Sequence, residues 1–287
     1  MKQWPAWLRP ITCHYTPEYR ALMQARKEGI EILKKHTATA SQKNGERKEK
    51  EDYIVTWISN KRPQWTENFA AQADLQLELS VAAIHTTTMA MTHLLYDLAA
   101  NPKYISILRA EIKEALAASN NQYNKDCIVR MSKVDSFMME SQRLHPPGLT
   151  TFQRYVLEDV ILADGTRLPK GATMAIDSSA RNFDPAIWEN PDQFDGLRFF
   201  KLRKQSQNKA NHQFVASNPD NLVWGQGRHA CPGRFFAANE IKTIFAMFIL
   251  DFDVSFPEGA TRPDDVVNGN FITPSNTAEI LIRRAQV

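Results

Sequence analysis

Cysteine is scarce in this chain. Among 287 residues only Cys13, Cys127 and Cys231 occur. They form no CxxC pair or other zinc-ligand spacing. An odd, sparse count excludes a disulfide scaffold and fits a reducing compartment. Long apolar runs are missing as well. No stretch has the roughly eighteen residues a membrane-spanning helix needs, and the first residues lead into no apolar core of the signal-peptide kind. A dominant charge is lacking: 35 Lys and Arg against 32 Asp and Glu leave +3. That excess is spread thinly, so no nucleic-acid partner is expected. There is no internal repeat. What remains is consistent with one large soluble globular domain over residues 1–287, helical to about 147. A small sheet, a meander, a cysteine loop and a terminal helix and sheet fill about 148–287.

The helical part carries clear punctuation. Trp4, Pro5, Trp7 and Pro10 make an aromatic, proline-rich opening. Thr16 before Pro17 gives an N-cap and a first helical residue, starting a helix that runs to about His36. Residues 41–52, rich in Lys and Glu, suggest a solvated loop. Residues 74–100 form a long helix with Leu75, Leu79, Ala82 and Ala83 on its apolar side, stopped by Asn101-Pro102. A second helix spans 102–118, amphipathic through Ile105, Leu108, Ile112 and Leu116. A third spans 133–144 and ends at His145-Pro146-Pro147-Gly148. Then the period changes. Strands at 156–163 and 166–168 flank Asp164-Gly165, a hairpin turn, and 173–176 forms another short strand. Residues 184–214 are irregular with short helical turns, and 253–256 and 278–283 close the chain as strands.

The most specific stretch is Trp224-Gly225-Gln226-Gly227-Arg228-His229-Ala230-Cys231-Pro232-Gly233. It delivers one cysteine from a glycine-rich loop into an apolar helix over 234–250. A thiolate there meets the positive end of the helix dipole. Small Ala230, Pro232 and Gly233 leave one side of the sulfur open to a broad, flat partner, most simply a haem whose iron takes Cys231 as axial ligand. The competing readings are a structural cysteine after a turn and a phosphate loop built on Gly225 and Gly227.

The spacing of Trp224, Gly227, Cys231 and Gly233 resembles the haem-binding signature of the cytochrome P450 monooxygenases. Trp224 stands where Phe is usual. His229 stands where Arg is usual, with Arg228 beside it, and either could meet a haem propionate. The resemblance implies haem b and a mainly α fold with small β-sheets, of which this chain corresponds to the C-terminal portion. Glu140-x-x-Arg143 resembles the family's ExxR helix, since positions three apart share a face and can pair bidentately. Pro191, Phe194, Arg198 and Phe199 match the segment that supplies its third member. The implied triad of Glu140, Arg143 and Arg198 is structural and holds the meander under the cysteine loop. The stretch Ala82-Ala83-Ile84-His85-Thr86-Thr87 resembles the oxygen-activation motif: Thr86 takes the proton-delivery position, and His85 replaces the usual acid. Thr hydroxyls bond back to the carbonyl four residues earlier, and histidine relays protons near neutral pH.

The resemblance is to filamentous-fungal members that oxidise secondary metabolites. It implies insertion of one oxygen atom from O2 into a small apolar, terpenoid-like substrate. Substrate contacts are expected from Leu79, Ile84, Leu149, Phe152, Phe271 and Ile272. The chain has no flavin, nicotinamide or iron–sulfur motif, so electrons must come from outside, and the resemblance implies a diflavin NADPH–cytochrome P450 reductase as their source. Lys201, Arg203, Lys204, Lys209, Arg228 and Arg234 offer such a partner a basic face. The family expectation is the cytosolic face of the endoplasmic reticulum, although no membrane anchor is visible. The chain is about half the family's usual length. A second reading therefore stays open: a catalytically incompetent remnant that acts as a haem-binding or interaction module. His145 caps a helix end. His14, His36, His93 and His212 have no partner at ligand spacing.

Overall fold

The computed structural model describes residues 5, 7–42 and 54–285. The chain divides into two compact units, Met1–Ile84 and His85–Val287, and the division falls inside one long helix. Among the described residues, no helix is long and apolar enough to cross a membrane.

The first unit is helical: α1 (Arg9–Thr12), α2 (Pro17–Gln42), α3 (Ile54–Lys61) and the first half of α4 (Phe69–Ala100). Thr16 caps α2, its Oγ1 accepting from the Tyr19 amide at 3.4 Å. The proline at the first position forfeits an amide that would have no partner there anyway. This helix extends past His36 to Gln42, and most of the Lys/Glu-rich loop expected at 41–52 lies outside the described residues. Asn68 caps α4 by accepting from the Ala71 amide at 3.0 Å, so that helix starts five residues before the expected Asp74. Arg26 of α2 and Asp74 of α4 form a bidentate pair.

The second unit holds the principal core. After α4 come α5 (Lys103–Ala117), α6 (Lys125–Arg130) and α7 (Ser132–Leu144). Asn101 turns its amide onto the Asp97 carbonyl at 2.9 Å, and Pro102 has no amide to continue the helix. Buried Leu108 and Ile112 of α5 and Val134, Phe137 and Met138 of α7 meet Ile241, Phe245 and Ile249 of α10 (Arg234–Asp251). The last three stand at i, i+4 and i+8, one helix face. No side chain adjacent to α7 in sequence caps its start. Glu111 of α5 does so instead, accepting from the amides of Lys133 and Val134 at 2.8–2.9 Å. At the far end of α10, Arg109 donates to the carbonyls of Ile249 and Phe252 at 2.8 and 3.0 Å, satisfying groups a helix end leaves open.

Among the described residues, the strands form four two-stranded antiparallel sheets. They are β1 (Thr150–Tyr155) with β4 (Thr173–Asp177), β2 (Val160–Ile161) with β3 (Arg167–Leu168), β5 (Phe252–Ser255) with β8 (Leu281–Arg284), and β6 (Val266–Asn268) with β7 (Phe271–Thr273). The hairpin at Asp164-Gly165 closes where the sequence puts it, with the Asp164 carboxylate accepting from the Thr166 amide at 2.9 Å. Strands β1, β6 and β7 and helices α1, α3, α6 and α8 (Ser178–Asn182) are absent from the sequence-based expectations, and the strand expected over 156–163 is confined to Val160–Ile161. The register of β1 slips between Thr151 and Arg154, which breaks the alternation that marks a strand. Between β4 and α10 lie α8 (Ser178–Asn182), α9 (Arg198–Gln205) and a short 3-10 turn at Lys209–His212.

Gly196 sits where the chain enters α9 and presses on α7. A Cβ there would lie 2.7 Å from Phe137 and 3.2 Å from the Tyr104 ring. Both rings are fully packed, so neither can yield cheaply. Gly196→Ala is expected to cost about 1–3 kcal/mol through overpacking, read as a lower midpoint in urea unfolding with an unchanged slope.

Candidate functional site

The cysteine loop is shaped by its own backbone. The Cys231 amide donates to the Trp224 carbonyl at 2.7 Å, closing the loop, and Ser217 Oγ donates to the Gly225 carbonyl at 2.5 Å. Gly225 has φ +71°, and a Cβ there would approach the His229 carbonyl at 3.0 Å, so the turn needs glycine. Cys231 itself is half-exposed. A Cβ on Gly233 would stand 4.0 Å from the sulfur, so that side stays uncrowded. Arg234 opens α10 and donates back to the Cys231 carbonyl at 2.9 Å.

The thiol lines an open cleft of about 370 Å³, within the ordinary range for small-molecule and cofactor sites. One wall is β1, residues 150–154. The other is the loop, through Val223, Trp224, Gly225, His229 and Cys231. Thr151 Oγ1 donates to the Leu222 carbonyl at 3.0 Å and clasps the two walls together. Phe152 has φ +54°, uncommon for a bulky residue. The bulge beside it brings both Phe152 and Arg154 to the cleft, with the guanidinium 4.0 Å over the ring. Arg154 is a basic group at this site that motif reading missed.

Behind the loop stands a relay of buried groups. Asp135 of α7 accepts from Arg203, from Lys242 and from the Phe214 amide. Burial alone would raise its pKa. The two cations and the amide outweigh that and hold it below the usual carboxylate range. The Phe214 carbonyl in turn accepts from the Trp224 indole at 2.6 Å. A phenyl ring could make no such bond, which gives a physical reason for Trp at this position. Sequence reasoning missed Asp135 because its partners lie 68 and 107 residues away.

Glu140 is 0% exposed, Arg143 4% and Arg198 9%. Arg143 donates to both Glu140 oxygens at 2.9 and 3.0 Å, and Arg198 Nε reaches both at 3.1 Å. Spare guanidinium donors go to the carbonyls of Asn182, Glu189, Asn190 and Gln193. The Asp195 amide also donates to Glu140 at 3.0 Å. The carboxylate thus ties α7 to the end of α8 and to the whole approach to α9.

Other expected residues are placed differently. His85 and Thr86 lie on exposed turns of α4 and are not among the residues lining the cleft. Leu79 and Ile84 are exposed on the same helix. Gly227, Arg228 and His229 form a 3-10 turn before the cysteine. Arg203 is corrected as a member of the basic face: it is part-buried against Asp135. Lys201 pairs with Asp195 at the surface. His145 does close α7, its amide donating to the Ser141 carbonyl at 2.9 Å. Both it and His93, which sequence reading set aside, enter a buried ionic cluster.

A cytochrome P450 family profile matches residues 1–282. The chain is 38% identical to cytochrome P450 monooxygenase AN1598 of Emericella nidulans, over 100% of this chain and 54% of that protein. It is 37% identical to cytochrome P450 monooxygenase BOA4 of Botryotinia fuckeliana, over 96% and 56%. It is 35% identical to ent-kaurene oxidase P450-4 of Gibberella fujikuroi, over 98% and 55%. The chain spans about half the length of these relatives.

Glu140→Gln removes the charge that two buried guanidiniums share. A loss of about 3–5 kcal/mol is expected, measured by urea unfolding followed through tryptophan fluorescence.

Proposed function

The chain belongs to the cytochrome P450 family, and from that premise we propose that it is a haem-thiolate monooxygenase of fungal secondary metabolism. The reading has it insert one oxygen atom from O2 into a small apolar, terpenoid-like substrate. It is carried by one observation: the half-exposed Cys231 thiol opens on a cleft walled by β1. The family implies a haem-iron cofactor, and haem b is the form proposed. The donor set suits it: one soft thiol, an uncrowded sulfur and basic groups on the same cleft.

In this reading Cys231 holds the iron. His229 and Arg154 on the cleft, with Arg228 beside them, are the candidates for the carboxylates of the group. Trp224, Gly227 and Gly233 shape its seat. The bound haem would supply dioxygen activation, favoured by electron donation from the anionic sulfur. Trp224, anchored through its indole to Phe214, keeps the loop and hence the sulfur in place. Phe152 presents an apolar ring to substrate, with Leu149 and the exposed Phe271 as further candidates outside the cleft lining, whereas Ile272 is buried. Thr86, with His85 in the acid's position, holds and passes protons through its hydroxyl. The protein's share is positioning, exclusion of water and proton supply.

Electrons would come from a diflavin NADPH reductase, with Lys201, Lys204, Lys209, Arg228 and Arg234 as its basic contacts. The proposed site of action is the cytosolic face of the endoplasmic reticulum. Ent-kaurene oxidase among the relatives favours a terpenoid class. A second reading, a haem-binding or interaction module without turnover, is favoured by the position of Thr86 and His85 outside the cleft lining.

Reduced protein loaded with haem and treated with carbon monoxide is expected to give the red-shifted Soret band of thiolate ligation. Cys231→Ala is expected to abolish it. Folded protein that takes up no haem, or a C231A spectrum identical to wild type, overturns the ligand assignment.

With a reductase supplied, Thr86→Ala is expected to lower product formed per NADPH consumed by on the order of a hundredfold, the scale of a lost proton-transfer group. Haem loading should be unchanged. A wild type that binds haem without turnover supports the module reading instead.

A further inference from the structure

A second ionic centre lies where α4, the end of α7 and the segment before β6 converge. His145 stands between two carboxylates: Nδ1 is 2.7 Å from Asp265 Oδ2, and Nε2 is 3.4 Å from Asp97 Oδ1. A carboxylate oxygen faces each ring nitrogen, and the form of the ring that carries a proton toward both is the imidazolium. His93 stacks on it, centroids 5.0 Å apart and planes 14° from parallel. Arg262 donates to His93 Nδ1 at 3.2 Å, so His93 carries its proton on Nε2 and is neutral. Arg262 also reaches Asp97 at 2.5 Å and Asp265 at 3.3 Å. Two cations and two anions thus balance in a buried cage. His93, His145 and Asp265 each offer a ligand atom within 4.8 Å of the others, but the Arg262 guanidinium already supplies the cation there.

The cage is one end of a clasp whose other end is the cleft. Five residues after His145 comes Thr150, the first cleft residue of β1. Five residues after Asp265 comes Asn270. Asn270 Oδ1 accepts from the Thr150 amide and hydroxyl, both at 2.8 Å. Between these ends the Leu149 amide donates to the Asn270 carbonyl at 2.9 Å and the Ile272 amide to the Pro147 carbonyl at 3.2 Å. The two segments are therefore pinned at both ends, by ions at one and by amide bonds at the other.

We infer that His145 is a positioning residue: as an imidazolium between Asp97 and Asp265 it holds the β6–β7 segment against β1 and so sets the wall of the cysteine cleft. Asp97 and His93 face it from α4, and Arg262 and Asp265 from the segment before β6. From its own helix, Ser141 accepts its backbone amide.

Titration follows from the same contacts. Burial lowers the His145 pKa, but the bonds to Asp265 and Asp97 outweigh it and leave it raised above 6.5. Stability from this group is full below the ordinary histidine pKa and is lost as pH rises through the raised value. His93 is driven the other way, to about 4, first by burial and then by the charge of His145. Its neutral form therefore resists charging, and its contribution is lost as pH falls from about 6.5 toward 4. Asp97 and Asp265 lie low despite burial, because His145 and Arg262 favour their charged forms. The clasp is tightest near pH 6.5 and loosens on the alkaline side by loss of one proton.

Amide hydrogen exchange on the whole chain tests this, with intrinsic rates corrected for pH. Protection at the Leu149, Thr150 and Ile272 amides is expected to fall about tenfold per pH unit above about 6.5, levelling beyond the raised pKa. The amides of α5 serve as reference and should hold their protection. His145→Gln should show low protection at the three amides with no pH dependence. Protection at the three amides that runs parallel to α5 across the range, flat or falling, overturns the inference. So does an H145Q protein with the wild-type profile. If H145Q does not fold, the wild-type profile decides alone. Exchange is read without haem, so the result is distinguishable from failure of the monooxygenase reading.

Discussion

A carboxylate with no solvent exposure, shared by two guanidiniums, is the constraint on which the rest of this unit depends. Without Arg143 and Arg198 the buried Glu140 carboxylate would have no partner charge, and neither arginine would have one without it. The geometry also requires arginine. A planar fork reaches the carboxylate and still has donors for the carbonyls of Asn182, Glu189, Asn190 and Gln193, whereas a lysine offers one point charge. The Asn182 carbonyl lies at the open end of α8, and the other three belong to irregular chain that has no ladder of its own. The ion centre is what satisfies them, and that fixes the path of the backbone before α9.

The same helix repeats the device twice. Asp135, Glu140 and His145 stand five apart along α7 and its C-cap. On a turn of 3.6 residues, positions five apart are rotated by about 140°, so the three anchors point to three different sides. Asp135 holds α9 and α10 through Arg203 and Lys242, Glu140 holds the approach to α9, and His145 holds α4 and the segment before β6. This accounts for a helix buried nearly all round yet rich in polar side chains. Each centre costs desolvation, and apolar packing could match its stability. What an ion centre adds is direction: each accepts only a partner of the right charge at the right register.

Those centres were unequally legible in the sequence. Glu140 and Arg143 are three apart on one face, and Arg198 sits among Pro191, Phe194 and Phe199 at a recognisable spacing, so local pattern revealed them. Asp135, Asp97, His93 and Arg262 carry no such mark. Each is a single polar residue, and the pairs Asp135–Arg203, Asp97–Arg262 and His93–Arg262 span 68, 165 and 169 positions. The start of α2 was legible from Thr16-Pro17 and the stop of α4 from Asn101-Pro102, whereas the stop of α2 was not. The start of α4 was not, because Asn68 caps a turn whose apolar period begins later. The cysteine loop was legible as a string of residues, but its opposite wall only through Phe152, expected as a substrate contact. β1 hides behind its bulge, and the basic charge it brings to the cleft, Arg154, sits on no motif.

That bulge shows how the anchors and the cleft are connected. Phe152 is held at positive φ in mid-strand, a conformation costing of order 1–3 kcal/mol that persists only where its surroundings over-determine it. They do so here from both sides. Before it, Thr150 is bound twice by Asn270 and Thr151 reaches Leu222 in the cysteine loop. After it, Arg154 pairs with Met174 and Tyr155 with Thr173 of β4. The strain is therefore local, while the contacts that maintain it come from the terminal hairpin, the cysteine loop and β4. Loosening any of these lets Phe152 relax toward an ordinary strand, which would turn its ring and Arg154 away from the thiol.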